Sequence, residues 1–228
     1  MKTMHNPKSK TTCRGFSLIE MLAAITIMAV LGAIAVPGIN SAVRKAQIMG
    51  AASNARQIAM GLRNYATDNE GLFPVADMDG NEFTSSNEVF RELLPDYLDS
   101  ERIFSVGRSA WGSRADNRFD EESDRVEAGE NHFAYISGLT TTSRTDWPLV
   151  VDGTDGNGTY NRERGTKGGC WDGTSAVVVS VGGSARTIRL RGDSDSRYIP
   201  REGYPEENAL DVGDYMGDSA ALLEPEEG

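Results

Sequence analysis

From Phe16 to Ile39 the chain runs for 24 residues with a single charge, Glu20. As a helix at about 1.5 Å per residue this stretch is roughly 36 Å long, enough for a bilayer core of about 30 Å. It is too long for the 7–15-residue apolar region of a typical secretory signal. A buried core helix would seldom keep so long a run uncharged. The pattern predicts a membrane-spanning segment. Beyond it the periodicity changes: Ile48, Ala51, Ala52, Ala55, Ile58, Ala59, Leu62, Tyr65 and Ala66 fall on one helical face, and Arg44, Lys45, Gln47, Asn54, Arg56, Arg63 and Asn64 fall elsewhere. One long helix is therefore expected, membrane-spanning over residues 16–39 and amphipathic over residues 40–68. Gly32, Pro37 and Gly38 interrupt its outer part, and Pro37 removes a backbone donor and crowds the preceding turn.

After Asp68-Asn-Glu-Gly71 the pattern becomes mixed. Ser85-Ser-Asn-Glu88 has the spacing of a capping box and predicts a short helix to about Leu94, stopped by Pro95. Residues 107–130 are polar and read as a loop. Phe133–Ser137 and Trp147–Val151 read as strands, and Ser175–Val181 with Ser184–Leu190 form a hairpin about Gly182-Gly183. Val177, Val179 and Val181 share one face, with Ile188 and Leu190 expected opposite them. The fold class is α+β: a long N-terminal helix packed on a small antiparallel β-sheet head over residues 69–191, with an acidic segment over residues 192–228.

Charge sharpens the picture. The formal net charge is −11, against the clustered Lys and Arg that a phosphate-tracking surface needs, so nucleic acid is not an expected partner. Residues 1–15 carry Lys2, Lys8, Lys10 and Arg14 and no acid. By the positive-inside rule this end stays in the cytoplasm, the chain crosses once, and the head is extracytoplasmic. Glu20 is costly inside the apolar run and calls for a partner. The segment offers no Lys, Arg or His, so the partner comes from another chain or from a new terminal amine.

Arg14-Gly-Phe-Ser-Leu-Ile-Glu20 and the apolar run after it resemble the prepilin motif of type IV pilins and type II secretion pseudopilins. The resemblance implies a leader over residues 1–15, cleavage after Gly15 by a prepilin peptidase, and methylation of the new N-terminal Phe16. It implies that Glu20 pairs with a neighbouring subunit's terminal amine during assembly. The implied partners are the peptidase, other pilin or pseudopilin subunits, an inner-membrane assembly platform and the lipid bilayer. In pilin filaments a proline at the position of Pro37 accompanies local melting of the helix; a simple kink is the other reading. Leu94-Pro-Asp-Tyr-Leu98, Tyr135-Ile-Ser-Gly-Leu139 and Trp147-Pro-Leu-Val-Val-Asp152 resemble pseudopilin-like heads of planctomycetes and verrucomicrobia. Those heads usually place Asp-Gly-His where this chain has Gly182-Gly183-Ser184.

Candidate chemistry in the head is sparse. Asp152, Asp155 and Asn157 have the near-alternate oxygen spacing of a calcium loop, as do Asp77, Asp79 and Asn81, but neither run fits an EF-hand, and solvated turns are the favoured reading of both. No other cofactor is expected. His132 would be the only histidine after leader removal, and Cys170 the only cysteine once Cys13 is lost, too little for zinc or a Cys-His pair. Arg164-Gly-Thr-Lys-Gly-Gly169 lacks phosphate-loop spacing. No catalytic constellation emerges. The expected role is structural: a subunit assembled from the inner membrane into a type II secretion pseudopilus or a type IV pilus-like filament. A minor or tip subunit whose acidic head binds a ligand or cation, and a membrane-anchored enzyme, are the alternatives.

Overall fold

The computed structural model describes residues 16–107, 111–121, 124–163, 165–193 and 196–228. The expected leader, with Cys13 and Gly15, lies outside the described residues, as does Arg164. The chain divides into two units, Met1–Arg44 and Lys45–Gly228. Helix α1 (Leu18–Asp68) begins in the first and continues into the second, and its backbone is helical through residue 37.

Among the described residues of the first unit the large apolar side chains are exposed. Leu18 is 83% exposed and Ile34 74%, and α1 contains an apolar window, none of it buried, long enough to cross a membrane. A surface of this kind is unfavourable in water and suited to lipid or to other apolar helices. The hydroxyl of Thr26 donates to the Leu22 carbonyl at 2.7 Å, which satisfies that hydroxyl within the helix itself.

The second unit is α+β. From Lys45 onward α1 buries Ala51, Ala55, Ile58, Ala59, Leu62 and Ala66, the face that the periodicity marked. These side chains join one core with a five-stranded antiparallel sheet. Its strands are β1 (Phe133–Ser137), β2 (Pro148–Asp152), β3 (Ser175–Ser180), β4 (Ala185–Arg189) and β9 (Ala221–Leu223), in the order β4-β3-β2-β1-β9. The alanines let the helix lie close to its neighbours. At Gly61 even a Cβ would come within 2.9 Å of Leu98. The Arg63 guanidinium donates to the Val181 carbonyl at 3.0 Å and ties α1 to the β3–β4 turn. Helix α2 (Ser86–Arg91) opens on the expected capping box of Ser85 and Glu88, and ends three residues earlier than the sequence suggested.

The β3–β4 hairpin corrects the expected register. Ala176 lies opposite Ile188 and Val178 opposite Arg186, so Ile188 shares a face with Ala176 and Val178 rather than with Val177 and Val179. The turn has three residues, not two: the Ser180 amide donates to the Ser184 carbonyl at 3.1 Å, and Gly183 sits at φ +82°. A three-residue turn closed by a left-handed glycine moves the pairing by one position, and one position changes the face.

Residues 192–228 include the short strands β6 (Arg197–Tyr198), β7 (Pro200–Arg201) and β8 (Tyr204–Asn208), and then the sheet's edge strand β9. Strand β5 (Arg191–Gly192) pairs with β6, and β7 with β8. Ile199, Ala209 and Tyr215 from this segment meet Val178 and Ile188 of the sheet around a cavity of about 440 Å³. The last residues fasten to distant loops. The Glu224 carbonyl accepts the Ser86 amide at 3.0 Å, the Glu226 carbonyl accepts the Gly129 amide at 2.9 Å, and the Pro225 carbonyl accepts the Lys167 ammonium at 2.6 Å.

Candidate functional site

The start of α1 is organised by two residues. Ser17 precedes the first helical residue, and Glu20 stands three positions later, the spacing at which a carboxylate reaches back to a free amide. The Glu20 carboxylate accepts the Ser17 amide at 2.8 Å, and the Met21 amide closes the first turn on the Ser17 carbonyl at 3.2 Å. A negative group also suits the positive end of the helix dipole. The one acid of the apolar run is thus held one residue from Phe16, whose own side chain is 81% exposed. A carboxylate has acceptor sites beyond the one that a single amide fills. An amine arriving from outside the chain can therefore be accepted there without breaking the cap. Pro37 lies on the same helix, well beyond this turn.

The head's candidate residues are drawn into the fold's own hydrogen bonding. Asp152 is 2% exposed, and its Oδ2 accepts both the Trp171 indole N–H and the Val177 amide at 2.6 Å. Its Oδ1 meets no partner among the described residues. Burial raises this carboxyl to about 7, opposed by the two hydrogen bonds it accepts. Asp155 instead closes a surface turn, accepting from the Asn157 and Thr159 amides and from the Thr159 hydroxyl. Asp77 does the same for its own loop: it accepts from the Asn81 side chain and from the Asp79 and Asn81 amides, and the Asn81 side-chain contact leads the causes that lower its pKa.

His132 is buried at the entry to β1. Its Nδ1 accepts the Val106 amide at 3.2 Å, and the ring meets the edge of Trp111 with centroids 4.9 Å apart. Burial lowers its pKa to about 4, so the ring is neutral at ordinary pH and supports the loop at residue 106. Cys170 is buried in the core.

One cluster was not legible in the sequence. Glu101, Asp116 and Glu130 bring carboxylate oxygens within 4.8 Å of one another. They come from the start of a short 3₁₀ helix and from two separated points of the polar stretch 107–130, with no repeating spacing, so only the folded chain assembles them.

No curated protein and no solved structure matches this chain. Residues 10–36, in contrast, match a family model described as the prokaryotic N-terminal methylation motif, and this match supports a place among type IV pilin-like proteins for the chain that carries it.

Proposed function

We propose that this protein is a structural pilin-like subunit that is processed at the membrane and polymerised into a filament. One observation carries the reading: the methylation motif over residues 10–36 coincides with an exposed apolar stretch of α1 whose one acid, Glu20, sits at the helix start. The membrane holds the precursor by this helix, with the basic leader in the cytoplasm. A prepilin peptidase cuts after Gly15, and the new amine on Phe16 is methylated. Glu20 then receives a neighbouring subunit's Phe16 amine as apolar helices leave lipid and pack against one another. An acid in lipid alone is costly, by about 2.5–3.5 kcal/mol at a helix centre on insertion scales and less near an end. The neighbour's amine relieves that penalty and favours one axial stagger between subunits.

Within this class we favour a type II secretion pseudopilus over a pilus. With Cys13 removed alongside the leader, Cys170 has no intrachain cysteine to close a C-terminal disulfide loop. Assembly is tested by expressing the chain with its cognate machinery and shearing the cells. The subunit should appear in the filament fraction as a polymer. Recovery only from membranes, with no polymer under conditions in which the machinery assembles other subunits, would contradict the reading.

A further inference from the structure

We propose that Glu101, Asp116 and Glu130 form a binding site for a hard divalent cation, calcium in preference to magnesium. Glu101 opens a short 3₁₀ helix (Glu101–Phe104), Asp116 lies in the polar loop, and Glu130 ends the turn before β1. One carboxylate oxygen from each lies within 4.8 Å of the others, a spacing that oxygen ligands about 2.4 Å from a common ion can adopt.

Backbone amides fix the three groups in place. The Val126 amide donates to Glu101 Oε1 at 2.7 Å. The Asp116 and Glu127 amides donate to Glu130 Oε1 and Oε2 at 3.0 and 3.1 Å. The Arg118 amide donates to Asp116 Oδ1 at 2.8 Å. Asn117, at φ +70°, accepts from the Ser100 hydroxyl and the Glu101 amide, which locks the Asp116 loop onto the 3₁₀ helix.

The independent sign of a ligand is Glu101. It is fully buried, and its Oε2 has no hydrogen-bond partner among the described residues. Glu130 is 5% exposed. Among the described residues neither forms an ion pair; the Arg118 guanidinium reaches only Asp116, at 3.8 Å, and is largely exposed. A buried carboxylate with an idle oxygen beside two further carboxylates is strongly unfavourable unless a positive charge enters. Burial and the neighbouring carboxylates raise the Glu101 pKa, and burial leads the rise at Glu130. A proton is thus the competitor that a cation must displace.

The donor set selects the ion. Three carboxylates and no nitrogen or sulfur suit hard cations. Ligands from a 3₁₀ helix start and two irregular loop positions fit calcium's flexible shell of 6–8 oxygens better than magnesium's strict octahedron. Asp116 is exposed and leaves its side of the site open to water, which completes the shell.

The test uses the full-length chain in detergent micelles, stripped with a chelator and then titrated with CaCl2 or MgCl2. Calcium at millimolar concentration should raise the melting temperature by about 2–5 °C, the shift that about tenfold saturation gives a chain of this size. Asp116→Asn keeps the acceptor for the Arg118 amide, and Glu101→Gln keeps the acceptor for the Val126 amide, so both variants should fold. Each should weaken calcium binding at least about tenfold by calorimetric titration. Asp155→Asn, in the separate surface turn, should keep the full response. A wild-type chain indifferent to both cations would overturn the proposal, leaving a shared proton as the occupant. An undiminished response in Asp116→Asn, or its loss in Asp155→Asn, would also overturn it. A magnesium response equal to calcium's would overturn the choice of ion.

Discussion

Replacing Glu20 by valine should leave insertion and leader removal intact while filament yield falls at least about tenfold, the loss expected when a charge-assisted contact worth about 1.5–3 kcal/mol disappears. The substitution makes the helix more apolar, so the membrane pool should not shrink. What disappears is the acceptor that the helix start presents beside Phe16. Glu20→Gln should fall between the two, because an amide oxygen keeps the Ser17 contact and a weaker acceptor for an amine. The yields of sheared filament and of membrane-bound mature subunit, measured from the same cells, separate assembly from insertion. Normal filament yield from the valine variant would remove Glu20 as the assembly contact.

The second large effect concerns the head and pH. Burial raises the Asp152 carboxyl to about 7 in the folded chain, against 3.8 for an ordinary aspartate. Between those values the folded state binds a proton that the unfolded state has released, so stability falls as pH rises. The slope from this group is at most about 1.4 kcal/mol per pH unit. Below about pH 4 the contribution is fully present; above about pH 7 it is gone and the curve levels. Asp152→Asn keeps an oxygen for the Trp171 and Val177 donors and cannot ionise. Its stability curve should therefore be flatter than wild type between pH 4 and 7, in denaturant melts of the detergent-solubilised chain. Glu101, Glu130 and Glu224 are raised as well and tilt both curves in the same sense. The difference between the two proteins isolates Asp152, and parallel curves would show that it is ionised throughout.

How far the sequence revealed this fold depended on whether each signal was local. The face Ala51–Ala66 and the box Ser85–Glu88 repeat within a turn or two of helix, so spacing alone exposed them. Strand β1 was bounded correctly because its five residues are all buried and apolar or aromatic except Ser137. The hairpin was visible, but its register was not, since Gly182-Gly183 suits a two-residue turn as well as the three-residue one that forms. Strand β9 gave almost no local signal. Three residues in an acidic segment become a sheet edge only because β1 offers a ladder far back in the chain, with Ile136 opposite Leu222. The same limit hid the carboxylate cluster, which exists only after Glu101, Asp116 and Glu130 converge in the folded chain. At the N-terminus the motif is contiguous, and the structure adds to it the cap between Glu20 and Ser17.

Intact-mass spectrometry of the protein purified from membranes reads out processing at Gly15. The chain should begin at Phe16, lighter by Met1–Gly15 and heavier by one methyl group. A mature protein that retains its leader, or one cut elsewhere with an unmodified terminus, would contradict it.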